Sequence, residues 1–469
     1  MKSKISIFIA ILFVFIFNAN SAYSFNTPNE NPDKFIKEIL IIGNKKTKSN
    51  IILRELTFCK NERIKNLDSV IVKCKENLMN TGLFNFVEIN YICEDSTSTL
   101  IYIKVTERWY LWPMPIFEIA DRNLSEWAQK KDISRTNYGF YLRQENFRGR
   151  DQILQVQFIY GYTHRIGLSY TIPYLNRKQN IGLSAGLFVT QNHEIAYDIN
   201  NDKLQFYKNE NLYVRKDFSS YVILKKRKGI YNYFTTGLEY RKNRTIDSVL
   251  ILNPSFFVNS STSQQTLTFS WGYRHDKRDY QTYALKGDYF EFDVIKSGFV
   301  LLKNEPNIMA ISAGYRKYFK LNNRFNFSSM VKARLTQISK APFSNQRAMG
   351  YGQDYLRGYD FYVLNGQNYF LLKSQFKYTL MKKRIYKTSV LKSEKFNEIP
   401  IAMYFNFFAD AGYVQDKYYN KYNNLSNQFQ YAYGIGYDYV TYYDLVFRFE
   451  YTFNKLHESG LFFRVGAAF

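Results

Sequence analysis

Two short glycine-containing motifs each carry a charged residue, an arginine in one and an aspartate in the other, and these two residue types can form an ion pair. A guanidinium and a carboxylate can form two parallel hydrogen bonds, which fix geometry and also contribute energy. Gly358 permits a positive φ or a close backbone approach beside Arg357. The alternative is that Arg357 is an exposed loop residue and Asp410 one of many scattered charges. The two motifs are Leu356-Arg357-Gly358-Tyr359 and Phe408-Ala409-Asp410-Ala411-Gly412.

Residues that would indicate an enzyme are dispersed along the chain. No His-Glu-x-x-His motif occurs. The segment Gly182-Leu183-Ser184-Ala185-Gly186 matches Gly-x-Ser-x-Gly but lies inside a predicted strand, and its glycines form no phosphate-binding loop. The histidines do not occur at metal-ligand spacing, and they are His164, His193, His275 and His457. We therefore expect no enzymatic activity, no metal and no cofactor.

Three cysteines, Cys59, Cys74 and Cys93, lie in the first fifth of the chain. An odd number allows at most one internal disulfide, and the spacing does not show whether any two of them pair. Cys74 falls on the apolar stripe of a predicted helix, so we expect its thiol to pack in a core.

The composition limits the architecture that can position these residues. The chain has 469 residues, of which 19% are aromatic, with a formal net charge of +24 and a mean hydropathy of −0.38. No run of about 18 apolar residues follows residue 25, which excludes a bundle of membrane-spanning helices. The aromatic content excludes an intrinsically disordered chain. A β-rich protein remains, either a large sandwich or a membrane barrel.

The positive charge gives little support to nucleic-acid binding. The basic runs Lys225–Lys228 and Lys382–Arg384 lie between predicted strands, where lipid phosphates or membrane-proximal turns are their expected surroundings. We expect no nucleic-acid partner.

The first 24 residues have the organisation of a secretory signal. Lys2 and Lys4 precede a largely apolar segment at Ile5–Phe17, and small residues follow from Ala19 to Ser24. This order is typical of a signal peptide, with cleavage expected near residues 21–24. A retained anchor is the alternative, but the apolar segment is short for a membrane span.

Residues 34–108 differ from the rest of the chain because helical and strand patterns alternate there. We expect Asn66 or Asp68 to cap the second helix and Gly82 to follow its end. The order predicts a three-stranded sheet with two helices on one face. The predicted elements are strand Phe35–Ile42, helices Lys48–Phe58 and Leu67–Asn80, and strands Leu83–Cys93 and Thr99–Glu107.

From Trp109 onward, segments of about 9–14 residues alternate apolar and polar side chains. They predict about sixteen antiparallel strands, the first at 110–120, the thirteenth at 401–413 and the last at 460–469. Charges occupy the second face throughout, whereas a sandwich would need a second apolar layer. The last strand also ends in an aromatic carboxyl terminus at Phe469. These features favour an all-β transmembrane barrel, a closed structure that satisfies its backbone hydrogen bonds in lipid.

The two motifs resemble those of the BamA/TamA family of outer-membrane proteins. In that family a Val/Ile-Arg-Gly-Phe/Tyr motif lies in the sixth extracellular loop, which folds back into the barrel. Its arginine contacts the acidic residue of a Phe-x-Asp-x-Gly motif on the thirteenth strand. The chain departs from the first motif at Leu356 and matches the second at Phe408, Asp410 and Gly412. The resemblance implies that Arg357 pairs with Asp410 in the lumen.

Residues 34–108 are similar in element order to a POTRA domain, the periplasmic module of this family. The step Gly82-Leu83-Phe84 looks like the helix-to-strand junction of such a domain. The chain then divides into a signal peptide at 1–24, one POTRA-like α+β domain at 34–108 and a barrel at 109–469. Many family members have more than one such domain, so a single one favours a specialised paralogue.

The resemblance implies assembly, insertion or translocation of other proteins at the outer membrane of a Gram-negative bacterium. The POTRA-like domain would lie in the periplasm and bind client chains by β-augmentation. A lateral seam would separate the first and last strands, with Gly460, Phe463 and Phe469 as its candidate residues. Expected partners are unfolded client polypeptides, outer-membrane lipid or lipopolysaccharide, and accessory periplasmic or lipoprotein subunits.

Two alternatives remain at this point. A passive pore or structural outer-membrane protein needs neither a POTRA-like domain nor an Arg357–Asp410 pair. Dedicated two-partner secretion of one client usually goes with two POTRA domains and an N-terminal plug helix, for which residues 25–33 are too short. The sequence does not identify the client.

Overall fold

The computed structural model describes residues 33–95, 98–119, 133, 136–337, 342–388, 393, 395–418 and 423–466. The predicted signal segment 1–24 and the terminal Phe469 lie outside these residues. Within the described ranges, no helix is both long and apolar enough to cross a membrane.

The first part of the chain folds as a small α+β unit. Its sheet has the order β2-β1-β4-β3, in which β1 is parallel to β4 and β3 is antiparallel to it. The helices bury an apolar core in which Ile36, Ile52, Cys74, Leu78 and Phe84 are fully buried. The elements are β1 (Lys34–Ile42), α1 (Ser49–Leu53), β2 (Arg63–Ile64), α2 (Leu67–Asn80), β3 (Phe84–Cys93) and β4 (Ser98–Glu107).

Two local predictions in this unit are wrong. The predicted helix Lys48–Phe58 is much shorter, because after Leu53 the backbone makes tighter i→i−3 hydrogen bonds from Glu55 N and Leu56 N, at 3.0 and 3.2 Å. The sheet also has a fourth strand, the two-residue β2, which pairs with the start of β1. A pairing of two residues is too short to leave a periodic signal in the sequence.

The predicted side-chain cap at the start of α2 is not observed for Asn66, whereas the glycine predicted after its end is observed. Asn66 occupies the N-cap position but has a φ of 52° and makes no capping hydrogen bond through its side chain. The Asp68 carboxylate accepts a hydrogen bond from the Tyr91 hydroxyl at 3.0 Å. Gly82 follows the helix with a φ of +72°, a conformation that glycine adopts without steric cost.

Sixteen antiparallel strands follow and form a barrel, which confirms the predicted fold class and strand number. Each strand pairs with its neighbours in chain order, except that a separate hairpin, β10 (Glu194–Asn200) and β11 (Lys203–Lys208), stands between the fifth and sixth barrel strands. A short helix, α3 (Asp247–Leu252), lies in the loop after the seventh. The barrel strands are β5 (Leu111–Ile119), β6 (Thr136–Phe147), β7 (Gln152–Gly161), β8 (Thr163–Ile172), β9 (Ile181–Asn192), β12 (Arg215–Lys228), β13 (Asn232–Thr245), β14 (Ser263–Asp276), β15 (Gly287–Ser297), β16 (Ile308–Lys320), β17 (Phe325–Gln337), β18 (Asn368–Lys387), β19 (Glu398–Gln415), β20 (Phe429–Val440), β21 (Val446–Asn454) and β22 (Ser459–Val465).

The two faces of the wall differ in polarity, as the alternation predicts. In β19, Phe407 is 53% exposed on the outside, whereas Asn406 and Asp410 are 2% and 3% exposed on the lumen side. Aromatic and aliphatic side chains on the outer face therefore contact lipid, and polar side chains fill the lumen.

The strands β5 and β22 are the two ends of the hydrogen-bonded order, and among the described residues no backbone pairing joins them. β5 nevertheless contacts the turn that precedes β21, the strand paired with β22. The Trp112 ring of β5 packs edge-to-face on the Tyr443 ring, in the turn between β20 and β21, with ring centroids 4.9 Å apart.

The α+β unit packs against one end of the barrel and contacts its rim at points distributed around the circumference. A cavity of about 560 Å³ lies between the unit and the barrel. The unit and its connection to β5 therefore cover this end of the lumen. The contacts are Lys48 N to Gly149 O (3.0 Å), the Arg54 guanidinium over the Tyr174 ring (3.8 Å), Glu55 to Arg227 (2.6 Å), Asn80 Nδ2 to Arg278 O (3.4 Å), Asn85 Nδ2 to Lys395 O (3.0 Å) and Trp109 N to Tyr443 Oη (3.0 Å).

Glu55 is the centre of this contact. Both of its carboxylate oxygens accept hydrogen bonds from Arg227 at 2.6 Å, and one also accepts from Arg54 at 2.9 Å. The Glu55 and Arg227 side chains are both largely buried, so each charge depends on the other for solvation.

We predict that Glu55→Gln loosens the α+β unit from the barrel. The substitution leaves Arg227 buried without its carboxylate, and breaking one partner of a buried pair costs about 3–5 kcal/mol. Hydrogen–deuterium exchange of peptides covering residues 46–56 and 146–151 should accelerate. Glu88→Gln, which removes an exposed ion pair with Lys104, is the matched control and should leave exchange unchanged. Equal exchange in both variants would contradict the predicted role of Glu55.

We also predict that two of the three cysteines react in the folded protein. All three thiols are free, Cys59 and Cys93 are exposed, and Cys74 is buried. Burial raises the pKa of the Cys74 thiol, so less of the reactive thiolate is present at neutral pH. Maleimide labelling followed by mass spectrometry should show two adducts on the folded protein and three after denaturation. Fewer than two adducts on the folded, non-reduced protein would indicate a disulfide.

Candidate functional site

The loop between β17 and β18 folds into the lumen. In its described part, residues 342–367, the side chains of Leu356, Tyr359 and Leu364 are almost fully buried. They form one apolar cluster with Leu371 of β18 and Val414 of β19. The loop is therefore packed against the inner wall, not exposed above the barrel.

Arg357 and Asp410 lie together at the centre of this contact. The Arg357 Nε donates to Asp410 Oδ2 at 2.7 Å, and Nη2 donates to Asp410 Oδ1 at 2.5 Å. Both side chains have no exposed surface. The guanidinium also lies 3.8 Å from the centroid of the Phe408 ring. The arrangement is a bidentate ion pair with an aromatic face behind it, which orients the guanidinium in three dimensions.

The glycines of the two motifs make room for close contacts. Gly358 has a φ of +80°, and a Cβ there would lie 3.1 Å from Thr452 Oγ1 on β21. Its carbonyl oxygen accepts a hydrogen bond from Asn454 Nδ2 at 2.8 Å. A Cβ on Gly412 would lie 2.8 Å from Met349 Cε of the loop. A side chain at position 358 would be strained by the positive φ and would crowd Thr452, whereas one at position 412 would require the Met349 methyl group to move.

The other two residues of the first motif attach the loop to neighbouring strands. The Tyr359 hydroxyl donates to Gln430 Oε1 at 3.0 Å and accepts from Lys455 N at 3.3 Å. Leu356 packs in the apolar cluster described above. All four residues from Leu356 to Tyr359 thus contact the wall.

A second carboxylate, Glu450 of β21, was not selected by the sequence analysis as a site residue. Its oxygens lie 3.5 Å from Arg357 Nη1, 3.4 Å from Arg448 Nη1 and 3.3 Å from Arg464 Nε. One buried carboxylate is therefore shared by three guanidinium groups, and only one of these, Arg357, belongs to the loop. The alternation in β21 places Arg448 and Glu450 on the lumen face, but it does not give their partners.

The loop also contacts the terminal strand. Asp360 forms an ion pair with Arg464 of β22, and the Phe361 and Phe462 rings are 5.8 Å apart. The Tyr355 hydroxyl accepts from Arg448 Nη2 at 3.0 Å. The loop therefore connects β19, β21 and β22 through charged side chains.

The hairpin β10–β11 covers the loop from the other side. The Asp202 carbonyl oxygen accepts a hydrogen bond from Val363 N at 2.8 Å. The Asp202 carboxylate accepts from Asn424 N at 2.9 Å and from Leu425 N at 3.2 Å, in the loop between β19 and β20. This hairpin was not among the predicted strands, because its two strands are short. Asp202 lies in the turn between them, and its sequence does not distinguish it from other turns.

The residues predicted for the seam do not join the Arg357 site. Gly460 pairs with Thr452 in the ladder between β21 and β22. Phe463 lies on the outer face, with its ring centroid 5.0 Å from that of Phe449. Among the described residues, no group of His, Cys, Asp and Glu side chains is arranged to hold a metal ion.

A family model described as the Omp85 superfamily domain matches residues 146–469. The chain is similar to two solved CdiB structures, from Escherichia coli (TM-score 0.50, 10% identity, 96% of this chain and 93% of that chain covered) and from Acinetobacter baumannii (TM-score 0.51, 11% identity, 92% and 74% covered). A BamA structure from Haemophilus ducreyi that lacks POTRA domains 1-3 matches with a TM-score of 0.48 and 14% identity, covering 92% and 84%. No curated protein matches the sequence. At 10% and 11% identity, the two CdiB matches show the fold alone.

We predict that Arg357→Ala destabilises the barrel far more than a change elsewhere in the loop. It leaves Asp410 buried without its bidentate partner, which costs about 3–5 kcal/mol. Arg347→Ala is the matched control, because Arg347 is an exposed arginine of the same loop. The measurement is the free energy of unfolding in urea, in detergent micelles.

The double variant Arg357→Ala/Asp410→Ala distinguishes a direct pair from two independent effects. Residues in contact show coupling energies of about 0.5–3 kcal/mol in such a cycle, so the double variant should lose less than the sum of the single losses. Additive losses would show that the two residues do not act as a pair.

Proposed function

Because the chain belongs to the Omp85 superfamily, we propose that this outer-membrane β-barrel assists the assembly, insertion or translocation of other proteins. The observation that carries the proposal is the buried Arg357–Asp410 pair, which holds a long loop inside the lumen. A passive pore conducts best with an open lumen and has no use for such a pair. In this proposal the loop acts through its position in the lumen, and the protein catalyses no chemical reaction.

The α+β unit supports the proposal as a POTRA-like domain over residues 34–108, followed by the barrel over 109–469. Its strand β3 is an edge of the sheet, and the end of that strand at Ile92 is exposed. An edge strand offers unpaired backbone groups to an extended client chain, which can add as a further strand. In this proposal the unit lies in the periplasm and receives clients before they reach the barrel.

The ends of the barrel sheet support a lateral seam between β5 and β22. Strand β5 contains Pro113 and Pro115, and proline occurs in strands where the missing N–H faces away from the paired neighbour. The antiparallel ladder between β5 and β6 is unbroken at both prolines. The nitrogen atoms of Pro113 and Pro115, which cannot donate, therefore face away from β6, toward β22. The edge of β5 that faces β22 therefore lacks two backbone hydrogen-bond donors.

The terminal strand β22 forms the other side of the proposed seam. Asp360 and Phe361 of the loop contact Arg464 and Phe462, so a movement of the loop would move this strand as well. Gly460 and Phe463 lie on β22, and with Phe469 they remain the predicted seam residues. We propose that the loop sets the width of the seam.

The partners in this proposal are unfolded client polypeptides, outer-membrane lipid or lipopolysaccharide, and accessory periplasmic or lipoprotein subunits. Two-partner-type secretion of a single client remains the alternative.

Depletion of the protein, followed by quantitative proteomics of the outer membrane and the culture medium, tests the proposal. We expect loss of outer-membrane or secreted proteins. Complementation with Arg347→Ala should restore them and complementation with Arg357→Ala should not. Loss of a single secreted protein would favour dedicated secretion, and loss of many barrels would indicate a general insertase. No change in any protein would contradict an assembly or translocation role.

A further inference from the structure

The loop between β15 and β16, residues 298–307, exposes an apolar tip. Phe299 is 39% exposed, Val300 83% and Leu301 72%. Such a set of neighbouring apolar side chains in full contact with water is uncommon on a folded surface and marks a contact site.

The loop is built to hold this tip outward. The Glu305 carboxylate accepts hydrogen bonds from Leu267 N at 3.0 Å, Leu301 N at 2.9 Å and Leu302 N at 3.2 Å. Val300 has a φ of 61°, which is a rare and strained conformation for a β-branched residue. The exposure of Val300 and Leu301 is therefore a consequence of a specific turn and not of a frayed loop.

The strands place this tip at the membrane surface. β15 has 11 residues, which at about 3.3 Å per residue and a tilt of about 40° gives a height of about 28 Å. That height is close to the hydrophobic thickness of the bilayer, about 25–30 Å. The tip therefore lies at the boundary between the hydrocarbon core of the bilayer and its headgroups, at the end of the barrel opposite the α+β unit.

The outer face of the wall is apolar close to the tip and carries Lys296 in the last row before it. Met309 and Ile311 of β16 and Leu335 of β17 are exposed on the outer face near this end. Lys296 pairs with Met309 in the ladder and so shares this face, and its Nζ lies 5.8 Å from the Phe299 ring centroid. Lys303 follows the tip and is exposed.

We propose that residues 299–301 insert into the outer leaflet of the bilayer, with Lys296 and Lys303 binding the anionic headgroups of its lipids. Apolar side chains flanked by cations are the composition of an interfacial membrane anchor, since the apolar part enters the acyl region and the ammonium groups reach the phosphates. A second copy of the chain fits less well. Three side chains bury far less than the total of about 1,200 Å² that stable protein interfaces need. The inference rests on the membrane barrel and not on the proposed client activity.

A fluorescent label at the tip tests the proposal in the full chain reconstituted in liposomes. The label NBD is attached at Val300→Cys in a Cys59→Ser/Cys93→Ser background, in which the buried Cys74 stays unlabelled. Val72→Cys is the matched control, because Val72 is 58% exposed on the α+β unit. The quenchers are doxyl-labelled lipid from within the membrane and iodide from water. The liposomes contain phosphatidylcholine with or without phosphatidylglycerol.

We expect doxyl lipid to quench the label at position 300 several-fold more than the label at position 72, with iodide giving the reverse order. Phosphatidylglycerol should increase the lipid quenching, and Lys296→Gln/Lys303→Gln should remove that increase. Equal iodide quenching at both positions would overturn the proposal. Energy transfer between labels on two copies, without lipid quenching, would overturn it in favour of a contact between copies.

Discussion

The buried ion pair between Arg357 and Asp410 is the contact on which the arrangement of loop, wall and terminal strand depends. A guanidinium without exposed surface is tolerated only when a carboxylate and further hydrogen-bonding groups replace its water. Asp410 supplies both oxygens, and Phe408 supplies an aromatic face. Because the pair is bidentate, it fixes the orientation of the loop as well as its position. The loop then brings Asp360 and Tyr355 to the arginines of β21 and β22.

Both ends of the lumen are covered in this conformation. At one end the α+β unit is attached through Glu55 and Arg227. At the other, the loop and the hairpin that carries Asp202 lie over the opening. A polypeptide could pass through the lumen only after the contacts at both ends break, whereas no backbone ladder joins β5 and β22 among the described residues. This difference is one reason for proposing a lateral seam between β5 and β22.

Much of this could be read from the sequence because a β-wall between lipid and a polar lumen has a strict period of two. Asp410, Asn406 and Phe407 fall on their observed faces from that period alone. The pairing of Arg357 with Asp410 came from resemblance to a known family, since nothing in the spacing of 53 residues relates the two positions. Local features without a period, such as the two-residue β2 and the short α1, could not be predicted in this way.

The sequence by itself determined the fold class, the number of strands, the faces of each strand and the two motifs, because these follow from local periodicity and residue type. Only the tertiary structure decided that Glu450 is shared by Arg357, Arg448 and Arg464, and that Asp202 holds the loop from above. It also decided that Glu55 faces Arg227, across 172 residues of chain. Buried charges select their partners by distance in space, and that distance exists only after the sheet has curled into a barrel.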